Sequence, residues 1–210
     1  MIMKPLLFCF LIFHAMKMHG QKDSALSGAY YLQGEREMAS GFQFHEDHSF
    51  HFFFSYGALD RMAKGTWEQR GDTIVLNTPR RPPLDFKLVR SEKRGGNQVV
   101  VHVTDAQNAF LRNVFTEVAT ADTIYREQST EEGSLVFPKQ AVRQIALMHI
   151  FWNERFSVFD VAGTNADYFE FTIEPWIADV DFDNMILVLK EDGLTGAHPL
   201  LGKEQFTYTR

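Results

Sequence analysis

Aromatic residues recur at every second position over one short stretch of this chain, and that period suits only one kind of backbone. Phe42 and Phe44 alternate with Gln43, the polar turn His45-Glu46-Asp47-His48-Ser49 follows, and Phe50, Phe52, Phe54 and Tyr56 resume the spacing. Side chains at i, i+2 and i+4 share a face in a strand and not in a helix. The pattern predicts a β-hairpin with one aromatic face. The chain holds 20 Phe residues, so ring packing must supply a large part of its core.

Similar signals run along the rest of the chain. Residues 28–32 (GAYYL) read as an opening strand, and residues 64–68 and 73–76 flank Arg70-Gly71-Asp72 as a second hairpin. Residues 84–89 alternate after the bend at Pro79, Pro82 and Pro83. Residues 91–97 (SEKRGGN) are polar and carry Gly95-Gly96, which predicts a linker. Beyond it, residues 99–103, 114–118, 135–137, 145–152, 168–173, 185–189 and 206–208 read as strands. Residues 138–148 fit two readings, because Val142, Ile145 and Met148 suit a short helix at three-residue spacing and also a buried strand. Many short strands with regular turn signals predict an all-β fold.

The first 20 residues bear on location. Lys4 precedes the apolar run 6–13 (LLFCFLIF), and a polar tract ends at Gly20-Gln21. This is the layout of a cleaved secretory signal, and the run is far shorter than the roughly 20 residues that span a bilayer. The expectation is an exported protein, periplasmic or extracellular, with no membrane span. Cys9, the one cysteine, lies inside this run, so residues 21–210 can form no disulfide. The whole chain carries a net charge of −6. Removing the signal with its Lys4 and Lys17 makes the remainder more acidic, at about −8. Such a chain neither attracts nucleic acid nor favours an anionic membrane surface.

Four groups of residues carry the ingredients of a site. His45, His48 and His51, with Glu46 and Asp47 among them, are a candidate zinc or copper cluster, since both ions favour imidazole. Asp179, Asp181 and Asp183 place three carboxylates at period two, as at the start of a calcium loop. His149, Glu154, Ser157 and Asp160 hold the elements of a hydrolase, without a G-x-S-x-G elbow around Ser157. Tyr56 and Arg61 flank a loop after the aromatic strand and are candidates to line a barrel mouth, with Phe52, Phe54 and Trp67 as ligand-facing residues behind them. The chain has no phosphate loop, no dinucleotide fingerprint and no C-x-x-C, so no cofactor is implied.

Two resemblances sharpen the fold. Gly28-Ala29-Tyr30, then Phe44, Asp47 and Phe50, then Gly65-Thr66-Trp67 and residues 71–76 (GDTIVL), resemble the small lipocalin-like barrels of exported bacterial proteins. Val103-Thr104-Asp105, Leu111, Asn113 and Val114, followed by residues 130–137 (TEEGSLVF), resemble carboxypeptidase-regulatory-like (transthyretin-like) β-sandwich domains. Glutamine directly after the signal is similar to exported proteins of Bacteroidota. Together these imply a signal at 1–20, a lipocalin-like barrel over 24–90, a linker at 91–97 and a transthyretin-like sandwich over 98–210. The expected function is a non-enzymatic module that binds a small apolar ligand in the barrel or another exported protein. The alternative is an exported hydrolase using His149 to Asp160.

Overall fold

The computed structural model describes residues 26–106 and 109–210, the side chains of residues 203 and 204 excepted. The signal expected at 1–20 lies outside the described residues. Strands β1 (Gly28–Leu32), β2 (Met38–Phe44), β3 (Ser49–Tyr56), β4 (Leu59–Arg70) and β5 (Thr73–Asn77) run as an antiparallel meander. The chain then leaves to build β6 (Phe86–Glu92), β7 (Gln98–Thr104), β8 (Val114–Ala119), β9 (Ile124–Gln128), β10 (Ser134–Pro138), β11 (Gln144–His149), β12 (Trp152–Asp160) and β13 (Tyr168–Ile173). These eight strands form two four-stranded sheets, in the orders β10-β7-β13-β6 and β12-β11-β8-β9. The last strands, β14 (Met185–Lys190), β15 (Gly193–His198) and β16 (Gly202–Thr209), return to the first group. Strand β14 pairs with β5 and β16 pairs with β1, which closes an eight-stranded barrel.

The all-β architecture of a barrel with a sandwich is therefore what the chain forms. The residue boundaries differ from the linear division. Barrel strands come from both ends of the chain, and the sandwich is inserted between β5 and β14. Here closure takes eight strands, a number whose interior side chains can just fill. The expected linker 91–97 is partly sheet, since Ser91 and Glu92 pair with Phe169 and Tyr168. The ambiguous stretch 138–148 holds the last residue of β10 and most of β11 and no helix. The strand expected at 145–152 is two, because the chain turns at 150–151 from β11 into β12.

Each unit has its own core. In the barrel, Phe42, Phe44, Phe50, Phe52, Phe54, Trp67, Leu76, Leu187, Leu194 and Tyr208 are buried on the inward faces. In the sandwich, Val99, Val101, Val103, Val118, Ile145, Leu147, Phe169 and Phe171 fill the space between the sheets. Gly65 on β4 shows why the G-x-W strand needs its glycine: a Cβ there would collide with the Asn77 carbonyl and the Phe50 ring. Asn113, before β8, takes a left-handed φ of 71°, which Asn tolerates better than most residues.

The strand β4 outruns β5. Residues 66–70 pair with β5, but the first half of β4 has β3 as its only full neighbour. The segment returning from the sandwich covers this gap. A 3-10 helix, Pro175–Ala178, leads into it, Asp179 bridges Met62, and the Val180 N–H donates to the Met62 carbonyl at 2.7 Å. The same segment turns Val180 and Phe182 inward, both buried.

Candidate functional site

The barrel interior was the expected ligand site, and aromatic rings fill it. Phe42 lies with its ring centroid 5.0 to 6.5 Å from those of Phe44, Phe50, Phe52, Phe182 and Tyr208. Phe182 stacks on Phe50 at 5.5 Å and 10°. Its position comes from the return segment, which neither the hairpin pattern nor the resemblance revealed. The Tyr208 hydroxyl is buried without a partner, and burial pushes its pKa up.

The five expected ligand residues do not form one site. Phe52, Phe54 and Trp67 belong to the packed core. Tyr56 stands exposed at the end of β3. Arg61 is 4 % exposed and fully engaged. Its guanidinium donates to the Ala178 carbonyl at 3.1 Å, to the Asp179 carbonyl at 3.2 Å and to Glu154 on β12. The sandwich abuts the mouth expected here, where Leu59 packs against both cores and the Trp152 indole donates to the Asp60 carbonyl. Arg61 is thus a fastener between barrel and sandwich.

The hydrolase ingredients are also apart. The Nδ1 of His149 accepts the Phe151 N–H at 3.2 Å and its Nε2–H donates to the Arg112 carbonyl at 3.1 Å. Both ring nitrogens serve the backbone, and burial holds the ring neutral with a pKa lowered to about 4. The Ser157 hydroxyl accepts the Asp85 N–H at 2.7 Å and the Phe86 N–H at 3.3 Å. Glu154 pairs with Arg61, and Asp160 accepts the Ala162 N–H at 3.0 Å. No base reaches the serine among these four, as nucleophilic catalysis would need.

Among the described residues no three metal-ligating side chains gather. The expected aspartate set is dispersed, with Asp181 paired to Arg81 at 3.0 Å and Asp183 accepting from Asn184. The expected histidine triad is two plus one. His48 takes a left-handed φ of 64° in the turn, and its ring stacks on Trp67 at 4.4 Å and 13°. Trp67 holds this turn further, donating its indole N–H to the His45 carbonyl and its backbone N–H to the His48 carbonyl. His45 and His51 remain together, with ring centroids 5.1 Å apart.

The outer wall of the barrel carries an arrangement that the sequence pattern did not show. Register places Tyr31 opposite Gly41, Gly41 opposite Phe53, and Phe53 opposite Met62. These four outward positions form a row across β1, β2, β3 and β4. Tyr31, Phe53 and Met62 are 51 %, 39 % and 47 % exposed. The Tyr31 and Phe53 rings meet edge to face at 6.2 Å across the bare Gly41, where a Cβ would strike the Phe53 ring. Beyond Met62 the row enters a cleft of about 360 Å³, lined by Met62, Lys64, Pro79, Arg80, Trp176 and Asp181 among others. Burial raises the Asp179 carboxyl pKa in this cleft, against the pull of Arg81.

Among the described residues no helix is long and apolar enough to cross a membrane. Comparison of the chain with protein-family models, with curated proteins and with solved structures finds no match.

Proposed function

We propose that this protein is an exported, non-enzymatic module that binds another exported protein through the outer wall of its barrel. The observation that carries this reading is the row Tyr31–Gly41–Phe53–Met62, in direct register with its three large side chains exposed, leading into the Trp176 cleft. Contiguous apolar surface rimmed by polar groups marks interaction sites, and Lys64, Arg80 and Asp181 supply such a rim here. The filled interior supports a protein partner over a small apolar ligand, because side chains occupy the space a ligand would need. The lipocalin-like resemblance then bears on the scaffold and not on the contents.

A photo-crosslinking side chain at Phe53 tests this in the exporting cell. The expected result is one discrete adduct at position 53, lost when Tyr31 and Met62 are both changed to Ser. The sandwich supplies the rival surface, since Phe156 and Val158 on β12 are 38 % and 45 % exposed. Adducts at position 156 and none at 53 would overturn the assignment to the barrel wall. A small apolar molecule retained in native mass spectrometry and released on unfolding would favour the ligand version instead.

A further inference from the structure

We propose that His45 and His51 form a two-imidazole site for an exchangeable divalent transition ion, zinc or copper(II), on the outer wall of the barrel. His45 follows β2 and His51 lies in β3, on either side of the turn that Trp67 holds. The His45 N–H donates to the Ser49 carbonyl, so His45 faces Ser49 and His51 is its diagonal neighbour two residues on. Phe44 and Phe50 face each other inward, which puts both histidines on the outer face. Diagonal cross-strand neighbours are within reach of long side chains.

The spacing suits a shared ion. Two imidazoles bound at about 2.0–2.1 Å to a tetrahedral ion have ring centroids about 5 Å apart, and these stand at 5.1 Å. The His45 Nε2 is buried with no hydrogen-bond partner, a vacancy in bonding that an ion would fill. His51 is exposed, so one ligand of the pair is open to solvent. Charges around the pair oppose one another. Lys64 lies directly across from His51, while Asp47, in the turn, accepts both the N–H and the hydroxyl of Ser49 on one oxygen. With two protein ligands the remaining positions belong to water or to a donor from a partner, so the ion exchanges and does not hold the fold together.

Calorimetric titration of zinc chloride, then copper(II) chloride, into the full chain at pH 7.5 tests the site. One equivalent of either ion is expected, with affinity falling at least tenfold in His51→Gln and in His45→Gln. Lys64→Gln removes the opposing charge without touching a ligand and is expected to tighten binding several-fold. His48→Gln is expected to leave it within twofold. Circular dichroism of each variant separates loss of a ligand from loss of fold, and the gain in Lys64→Gln cannot come from misfolding. No binding, or binding that survives both His45→Gln and His51→Gln, would overturn the proposal.

Discussion

The barrel and the sandwich solve the same problem with different side chains. The barrel must fill a cylinder, and it does so with rings: Phe42, Phe44, Phe50, Phe52, Phe182, Trp67 and Tyr208. The sandwich must fill only the gap of about 10 Å between two sheets, and β-branched Val99, Val101, Val103, Val114 and Val118 supply much of it. Edges differ as well. Closure leaves the barrel with no free strand, whereas β10, β6, β12 and β9 are all edges of the sandwich. Strand β9, with Arg126, Glu127 and Gln128, shows how an edge is kept from pairing with other chains. Aromatic mass therefore follows the shape to be filled, and charge follows the edges left open.

Truncation in the two cores probes this difference most strongly. Phe42→Ala opens a hole among five rings and is expected to lower stability by about 3–5 kcal/mol. Leu147→Ala in the sandwich is expected to cost about 2–5 kcal/mol, toward the lower end if the two sheets can close on the gap. Urea unfolding followed by tryptophan fluorescence measures both, with Trp67 reporting on the barrel and Trp152 on the sandwich. Equal losses would show that ring packing gives the barrel no special sensitivity.

Next come two histidines that make the units alike. His198 in the barrel repeats the bonding of His149 in the sandwich. Its Nδ1 accepts the Leu200 N–H at 3.1 Å, its Nε2–H donates to Ser40, and Ser40 donates to the Phe53 carbonyl. Burial lowers the pKa of each to about 4. Both rings are neutral above about pH 6.5 in the folded and the unfolded chain. As pH falls from about 6.5 toward 4, the unfolded chain binds protons that the folded chain refuses, so stability drops. The loss is at most about 3 kcal/mol per ring. Thermal melts between pH 7 and 4 should show this slope, and His149→Gln or His198→Gln should each remove about half of it.

The fastener between the units comes third. Arg61→Met leaves the Ala178 and Asp179 carbonyls and Glu154 without their shared donor. A loss of about 1–3 kcal/mol is expected, with barrel and sandwich probes separating into two transitions. A single coincident transition would mean that the two chain crossings couple the units without Arg61. The smallest effect is expected at the surface. Phe53→Ser should change stability by less than about 0.5 kcal/mol, while the neighbouring Phe52→Ser should unfold much of the barrel, because one ring faces water and the other the core.

Legibility in the sequence followed side-chain contrast. Strand β3 alternates cleanly from Phe50 to Phe54 and was readable, while β9 (IYREQ) is exposed but for a half-buried Tyr125 and β15 (GLTGAH) holds two glycines, so neither has a two-residue hydrophobic pattern. Strand β12 was partly hidden because Glu154, read as a hydrolase ingredient, pairs with Arg61, and the adjacent Arg155 pairs with Asp85. Among the candidate site residues, the histidine turn was visible as composition, but His48's stacking on Trp67 depends on a residue 19 positions later. The outer row could not be read at all, since Tyr31, Phe53 and Met62 meet only once register is set.

Alternation and turn chemistry are local properties, and they settled the all-β class and the aromatic hairpin. Partner choice is not local. A strand's period of two says which side chains face inward but not which strand lies beside it, because every backbone offers the same donors and acceptors. Closure of the barrel by β14–β16, the insertion of the sandwich, Phe182 in the core and Arg61 at the junction all rest on contacts between residues far apart in the chain, such as Tyr31 with Thr209 and Arg61 with Ala178. Those contacts are decided by which assembly buries the most apolar surface with its backbone groups paired, and only the tertiary structure expresses that sum.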